Sequence, residues 1–274
     1  MRYSDAPRSI RALEQRIRNR EGDEGLALRC RREMALAIIG QMLPEGTVKG
    51  GSAMALRYGR DARFTRDLDV ARVRSLAEFR SDFEQTLAAG WSGFTGRLVE
   101  RPSPRPLGVP AGYVMRPFDI KLAYRGRSWC TVTFELGHNE IGDAEATEYL
   151  LSFEIAELFV EVGLPRPAPV PVMRVDHQIA QKLHAASSPR SERARDIVDL
   201  QLLARNENLD LGHVRETCVR LFAYRRQQVW PPSVVVGANW STLYASAAED
   251  VDVIKDVAEA VDWANEFIGH IEGR

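Results

Sequence analysis

The chain has little that would place it outside a cell or within a membrane. Its 274 residues include three cysteines, Cys30, Cys130 and Cys218, an odd and scattered set without metal-ligand spacing. That excludes a disulfide framework and a zinc cluster. There is no run of about 18 apolar residues that could span a bilayer. Met1-Arg2-Tyr3-Ser4-Asp5 carries no apolar signal-peptide core, so a reduced, cytoplasmic protein is expected. An excess of one charge is missing too. The 37 Lys/Arg and 38 Asp/Glu leave a formal net charge of −1, which gives no global argument for nucleic-acid binding. Lysine is scarce, confined to Lys49, Lys121, Lys182 and Lys255. A compact ammonium suits a phosphate contact as a point charge, so the positions of Lys49 and Lys182 matter below. Neither internal repeats nor coiled-coil heptads occur.

What is present is ordinary for a globular protein, 45% apolar and 27% charged, and long enough for one large domain or two smaller ones. Helical spacing of Met34, Ile38 and Met42 predicts helix over 8–43, broken near Glu21-Gly22-Asp23, and Pro44-Glu45-Gly46 ends it. Thr47-Val48-Lys49 reads as a short strand. Ser52 is a candidate N-cap for a helix over Ala53–Tyr58. Thr65–Ala71 reads as a strand and Leu76–Ala89 as a helix with Phe79, Phe83 and Leu87 on one face. After a proline-rich connection at 101–110, Tyr113–Tyr124 and Ser128–Leu136 form a hairpin about Arg125-Gly126-Arg127. Leu164–Val172, with four prolines, reads as a boundary. Beyond it the chain is nearly all helix: Val175–Ala186, Glu192–Ala204, Leu211–Gln228 and about Asp250–Ile271. The fold class is α+β, a small mixed β-sheet flanked by helices with an α-helical C-terminal part.

Gly50-Gly51-Ser52 followed by Asp67-Leu68-Asp69 carries the chemistry. A triphosphate needs backbone N–H groups that approach closely, which glycine and a helix N-terminus supply. On a strand, residues i and i+2 share a face, so Asp67 and Asp69 converge while Leu68 faces the core. Such a pair suits Mg²⁺. On the hairpin Thr131, Thr133 and Glu135 share a face, so Glu135 is the leading third carboxylate and Asp119 its rival. Thr65, two residues before Asp67, would share the diacid's face, and a phosphate there would repel an incoming triphosphate.

A second constellation begins at Lys182 and continues through Arg190 to Arg193-Ala194-Arg195-Asp196-Ile197-Val198-Asp199-Leu200. On a helix Arg193, Asp196 and Asp199 lie near one face, and Arg195 and Asp199 form an i,i+4 pair. This reads either as a self-paired, solvated face or as a cationic site in which Asp196, its pKa lowered among arginines, orients Lys182 or an arginine. Arg215, Arg220, Arg225 and Arg226, with Tyr224 and Trp230, form a candidate RNA-binding face.

Taken together, Lys49-Gly50-Gly51-Ser52, Thr65-Arg66-Asp67-Leu68-Asp69, Lys182 and Arg193-x-Arg195-Asp196-x-x-Asp199-Leu200 resemble the AbiEii/AbiGii (MenT-type) nucleotidyltransferase toxins of the polymerase-β-type superfamily, over roughly residues 34–244. Arg195 stands where that family commonly has lysine. The resemblance implies a catalytic domain over 1–165 and a helical domain over 166–274 that closes the active-site cleft. It implies transfer of a nucleotide from an NTP, with Mg²⁺ in a two-metal site, to an RNA acceptor, the tRNA 3′ end in characterised relatives, and an antitoxin partner encoded nearby. Asp67, Asp69, Lys182 and Asp196 would be catalytic. Lys49, Gly50, Gly51, Ser52, Arg66 and Arg193 would bind the nucleotide, and Asp67, Asp69 and Glu135 the metal. Alternatives are transfer to a protein or to a small molecule such as an aminoglycoside, and nucleotide binding with little turnover.

Overall fold

The computed structural model describes residues 2–103 and 114–273. The chain divides into two compact units, one of Met1–Arg60, Phe64–Asn139 and Thr147–Val172, the other of Asp61–Arg63, Glu140–Ala146 and Met173–Arg274.

In the first unit Gly22, at φ 69°, ends α1 (Ile10–Glu21) in the left-handed conformation that glycine adopts without steric cost. Asp23 then caps α2 (Glu24–Gln41) by accepting the Leu26 N–H, which is the break expected there. From Met34 to Ile39 α2 is buried on every side. β1 (Thr47–Lys49) leads into α3 (Gly50–Tyr58), and β2 (Asp67–Ala71) is followed by α4 (Leu76–Ala89). A reciprocal Ser75–Glu78 capping box opens α4. β3 (Phe94–Glu100), β4 (Arg116–Tyr124), β5 (Arg127–Gly137), β6 (Thr147–Leu150), α5 (Phe153–Glu161) and β7 (Val170–Met173) complete the unit.

The strands make one mixed sheet in the order β3-β4-β5-β2-β1-β7-β6. β4 and β5 form the expected hairpin, turned by Arg125 and Gly126 at φ 49° and 74°, the positive pair that a two-residue turn requires. β2 runs parallel to β5 and antiparallel to β1. Leu68 lies opposite Phe134 in that register. Phe83 of α4 packs on Phe134 with ring centroids 5.4 Å apart. This face of the sheet is therefore the core, each buried Phe contributing about 2–3 kcal/mol, and the odd-numbered residues of β2 and β5 are left on the other face.

The second unit contains α6 (Val175–Ala186), α7 (Arg195–Asn206), α8 (Leu211–Arg225), α9 (Trp240–Ala248) and α10 (Val257–Glu272). Leu183, Leu200, Phe222, Trp240 and Tyr244 are buried there. Gln201 ties α7 to the approach of α10, donating to Tyr244 Oη at 2.9 Å and accepting the Ile254 N–H at 2.9 Å.

Several expectations shift. α3 begins at Gly50, so Ser52 lies inside the helix and Lys49 takes the N-cap position. β2 begins at Asp67, which leaves Thr65 in the preceding loop and removes the strand alternation that put it on the diacid's face. The proline-rich stretch ends in β7, tied to β1 through the Val48–Val172 pair; Pro171 masks it in the sequence because proline lacks a ladder donor. Tyr113 lies outside the described residues.

Candidate active site

The first unit builds its site from β1, the start of α3, β2 and β5. Lys49 pairs with Asp69 across the β1–β2 ladder. Gly50 follows at φ 64°, and a Cβ there would sit 2.3 Å from Asp69 Oδ2. Both conformation and space require glycine. No side chain caps α3, so its first-turn amides are the orphan donors to which an anion binds. Ser52 is fully buried, and its hydroxyl donates to the Asp67 carbonyl. The hydroxyl thus pins the turn to the diacid strand, where a phosphate contact was expected, and the turn offers a ligand its amides.

Asp67 pairs with Thr133, and Asp69 with Glu135, across the parallel β2–β5 ladder. The three carboxylates therefore stand on one face of two adjacent strands. Burial pushes the Glu135 carboxyl up from its ordinary value, and the charges of Asp69 and then Asp67 add to it, opposed by Lys49 and Arg101. Asp119 stands one strand further out, opposite Thr133 on β4, with Arg101 Nε 3.8 Å from its carboxylate. Among the described residues no three His, Cys, Asp or Glu side chains form a ready-made metal cage. Mg²⁺ does not need one, since it binds through one or two carboxylates plus substrate phosphates and water. The adjacent pair Asp67 and Asp69 meets that requirement.

The second unit holds a closed charge network. Lys182 Nζ donates to Asp199 Oδ2 at 2.6 Å and to Asp196 Oδ1 at 3.3 Å. Arg63 grips Asp199 with two parallel bonds of 3.0 and 2.9 Å, and Arg193 Nε reaches Asp196 at 2.7 Å. Lys182, Asp196 and Asp199 are 5%, 1% and 0% exposed, so this is not a solvated helix face. Burial acts to raise the Asp196 carboxyl, and the charges of Lys182 and Arg193 outweigh it and hold the group below its ordinary value.

The family model for the nucleotidyl transferase AbiEii toxin of type IV toxin–antitoxin systems matches residues 40–268. The chain belongs to the AbiEii family. Among solved structures, MenT4, a nucleotidyltransferase toxin from Mycobacterium tuberculosis H37Rv, is similar over 96% of this chain and 97% of its own, with 16% identity and a TM-score of 0.52. JHP933 from Helicobacter pylori aligns over 87% of this chain and 88% of its own, with 15% identity and a TM-score of 0.44. No curated protein matches. The chain is thus a nucleotidyltransferase of a toxin–antitoxin family with the mixed α+β fold expected of it. No helix among the described residues is long and apolar enough to cross a membrane.

In this AbiEii-family chain the expected residues fall into two sets. Lys49, Gly50, Gly51, Ser52, Asp67, Asp69 and Glu135 come together in the first unit, and Lys182, Asp196 and Arg193 in the second. Arg66 lies just before β2 and lines a cavity with Phe64 and Thr133. The expected Arg195–Asp199 pair gives way to Arg63 and Lys182 as the partners of Asp199. The candidate RNA face on α8 is largely committed elsewhere. Arg215 forks onto Glu272, Arg225 onto Glu140, and Arg220 donates to the Ile141 carbonyl. Sequence reasoning missed Arg63 as a network member and missed Arg32, which lines the same cavity as Arg66. For Arg32 the available signal was a polar step, Arg31-Arg32-Glu33, entering an apolar helix.

Proposed function

We propose that the chain transfers a nucleotide from an NTP to an RNA acceptor, the 3′ end of tRNA, with Mg²⁺, and that this arrests growth unless the cognate antitoxin is present. The observation that carries the reading is the in-register set Asp67, Asp69 and Glu135 beside the uncapped start of α3. In the transfer an acceptor hydroxyl oxygen bonds to the α-phosphorus, the α–β bridging P–O bond breaks, pyrophosphate leaves, and the hydroxyl proton passes to solvent. The first-turn amides of α3 hold the β- and γ-phosphates. Lys49, next to Asp69 in the ladder, adds positive charge beside them. Asp67, Asp69 and Glu135 would hold Mg²⁺, which when bound neutralises phosphate oxygens and lowers the pKa of the attacking hydroxyl. Gly50 lets the turn lie against Asp69, and Ser52 fixes Asp67 through its carbonyl. In the second unit Asp196, kept ionised by its cations, orients Lys182 and Arg193 instead of accepting a proton.

The test supplies NTPs labelled at the α-phosphate together with total tRNA, cell protein and small-molecule acceptors. Label in tRNA that disappears in Asp67→Ala, with the fold retained by circular dichroism, supports the reading. Label in protein or small molecules overturns the acceptor. Nucleotide binding without transfer overturns the activity.

A further inference from the structure

A cavity of ≈ 500 Å³ opens in the first unit between α2, the loop before β2, and β5. That size suits a small organic ligand. Arg31, Arg32 and Arg66 line it and no carboxylate does. Arg31 is anchored on Glu14 at 2.8 Å. Arg31 Nε is buried without a partner, and Arg32 goes further, because both its Nε and its Nη2 are shut off from solvent and have no hydrogen-bond partner among the described residues. A guanidinium keeps its proton, and although the charge of Asp67 acts on it, Arg32 has no hydrogen-bonded carboxylate of its own, so where it lines the cavity it offers positive charge to an anion. Part of the apolar lining is accessible. Phe64 is 41% exposed. Trp129 is held in place by its N–H on Glu14 at 2.6 Å and by Phe94 at a centroid distance of 5.1 Å. Guanidinium groups beside aromatic rings suit a phosphate joined to a base.

Its place relative to the carboxylates says which nucleotide. In the sheet β2 lies between β1 and β5. α3, with its phosphate-binding amides, follows β1 on one side of the diacid. The cavity follows Thr131 and Thr133 of β5 on the other. In-line displacement at phosphorus puts the nucleophile opposite the leaving group. Pyrophosphate on the α3 side therefore requires the acceptor on the β5 side. We infer that this cavity binds the terminal nucleotide of the RNA acceptor strand, its backbone phosphate on Arg32 and its base against Phe64 and Trp129. The inference rests on the nucleotidyl-transfer reading and names the acceptor subsite for it; the NTP offers the same phosphate-and-ring chemistry, and the two are separated below.

The test measures binding of a 5′-fluorescein-labelled single-stranded RNA tetranucleotide by anisotropy, and of a fluorescent ATP analogue, to the full chain and to Arg32→Gln and Phe64→Ala. Expected is a loss of RNA affinity of about tenfold for Arg32→Gln and about fivefold for Phe64→Ala, with ATP-analogue affinity unchanged. The salt dependence of RNA binding should also flatten in Arg32→Gln by about one phosphate contact, which a merely structural role would not produce. If Arg32→Gln fails to fold, the exposed Phe64→Ala carries the same comparison. Loss of ATP-analogue affinity with RNA affinity intact assigns the cavity to the NTP and overturns the inference, as does unchanged binding of both. Failure of the transfer reading appears separately: wild-type protein that labels no RNA overturns that reading, and the RNA-binding difference still decides the cavity.

Discussion

The two units hold carboxylates and cations in opposite ways. Asp67, Asp69 and Glu135 stand exposed or half-buried on one sheet face, where burial and mutual repulsion keep the Glu135 proton from leaving at its ordinary pH. Asp196 and Asp199 are buried and each touches two cationic side chains. The open cluster has cations near it, Lys49 and Arg101 among them, but Glu135 is still held above its ordinary value. The closed one carries its counter-charges in the fold. The same residue types therefore read as chemistry in one place and as architecture in the other, and burial with partner count separates them.

Substitution at the open cluster should break function without breaking the fold. Asp69→Ala is expected to lower the rate of transfer at least about 1,000-fold, the loss of several kcal/mol of charge stabilisation. The urea midpoint should hold or rise, because a like charge beside Glu135 is removed. Parallel assays of labelled transfer and urea unfolding check this, and a fall in both would erase the distinction between the clusters.

The closed cluster should behave in reverse. Asp199→Ala strands Lys182 and Arg63 without their shared carboxylate and is expected to destabilise the protein by about 3–5 kcal/mol, read from urea unfolding. Changing both ends, Lys182→Met with Asp199→Leu, should recover part of that loss, since the buried ammonium goes with its carboxylate while Arg63 still lacks its acceptor. Recovery of stability without recovery of transfer would sharpen the proposal that Lys182 also serves the reaction.

Acid should find the second unit through a different group. His184 is 2% exposed, its Nδ1 faces Arg225 at 3.3 Å, and Phe222 packs on its ring at 4.9 Å. Burial, reinforced by Arg225 and opposed by Glu140, lowers its pKa from 6.5 to about 4. Above pH 6.5 the ring is neutral in both folded and unfolded chains. Between 6.5 and 4 the unfolded chain binds the proton first, so stability falls as pH falls, by at most roughly 3 kcal/mol. Asp176 adds to the acid loss at lower pH. Burial alone would raise its carboxyl, and hydrogen bonds from Arg174 and Thr217 hold it at about 2. Thermal unfolding between pH 7 and 4.5 should show the His184 slope, and His184→Gln, which takes no proton there, should flatten it.

How much of this was legible depends on how local each signal was. Gly50 to Ser52 and Asp67 to Asp69 are short motifs whose geometry follows from a turn and a strand, and Glu135 follows from alternation along a hairpin strand. The break at Gly22-Asp23 and the helices over Leu76–Ala89 and Val175–Ala186 are equally local, carried by caps and periodicity. Arg63 was not legible, because its meaning lies in Asp199, 136 positions away. Arg32 was hidden for a related reason. An arginine on a helix looks like any surface arginine until β5 is known to close over it. Ser52 was legible as important but not in its role, since only the register of α3 against β2 turns its hydroxyl to the Asp67 carbonyl.

The smallest expected effect tests whether the open cluster depends on shape as well as charge. Gly50→Ala alters no charge. It forces alanine to φ 64° and places a methyl 2.3 Å from Asp69 Oδ2, so the carboxylate must move. The backbone cost should be about 1–2 kcal/mol in urea unfolding. A displacement of the order of an ångström at a reacting centre should cost about 100-fold in transfer, well short of the Asp69→Ala loss because the carboxylate remains. Nucleotide affinity should fall as well, since the first amides of α3 turn with Gly50. A Gly50→Ala protein with wild-type transfer would mean that the turn yields freely, and that charge alone, without the fixed approach of α3 to β2, accounts for the site.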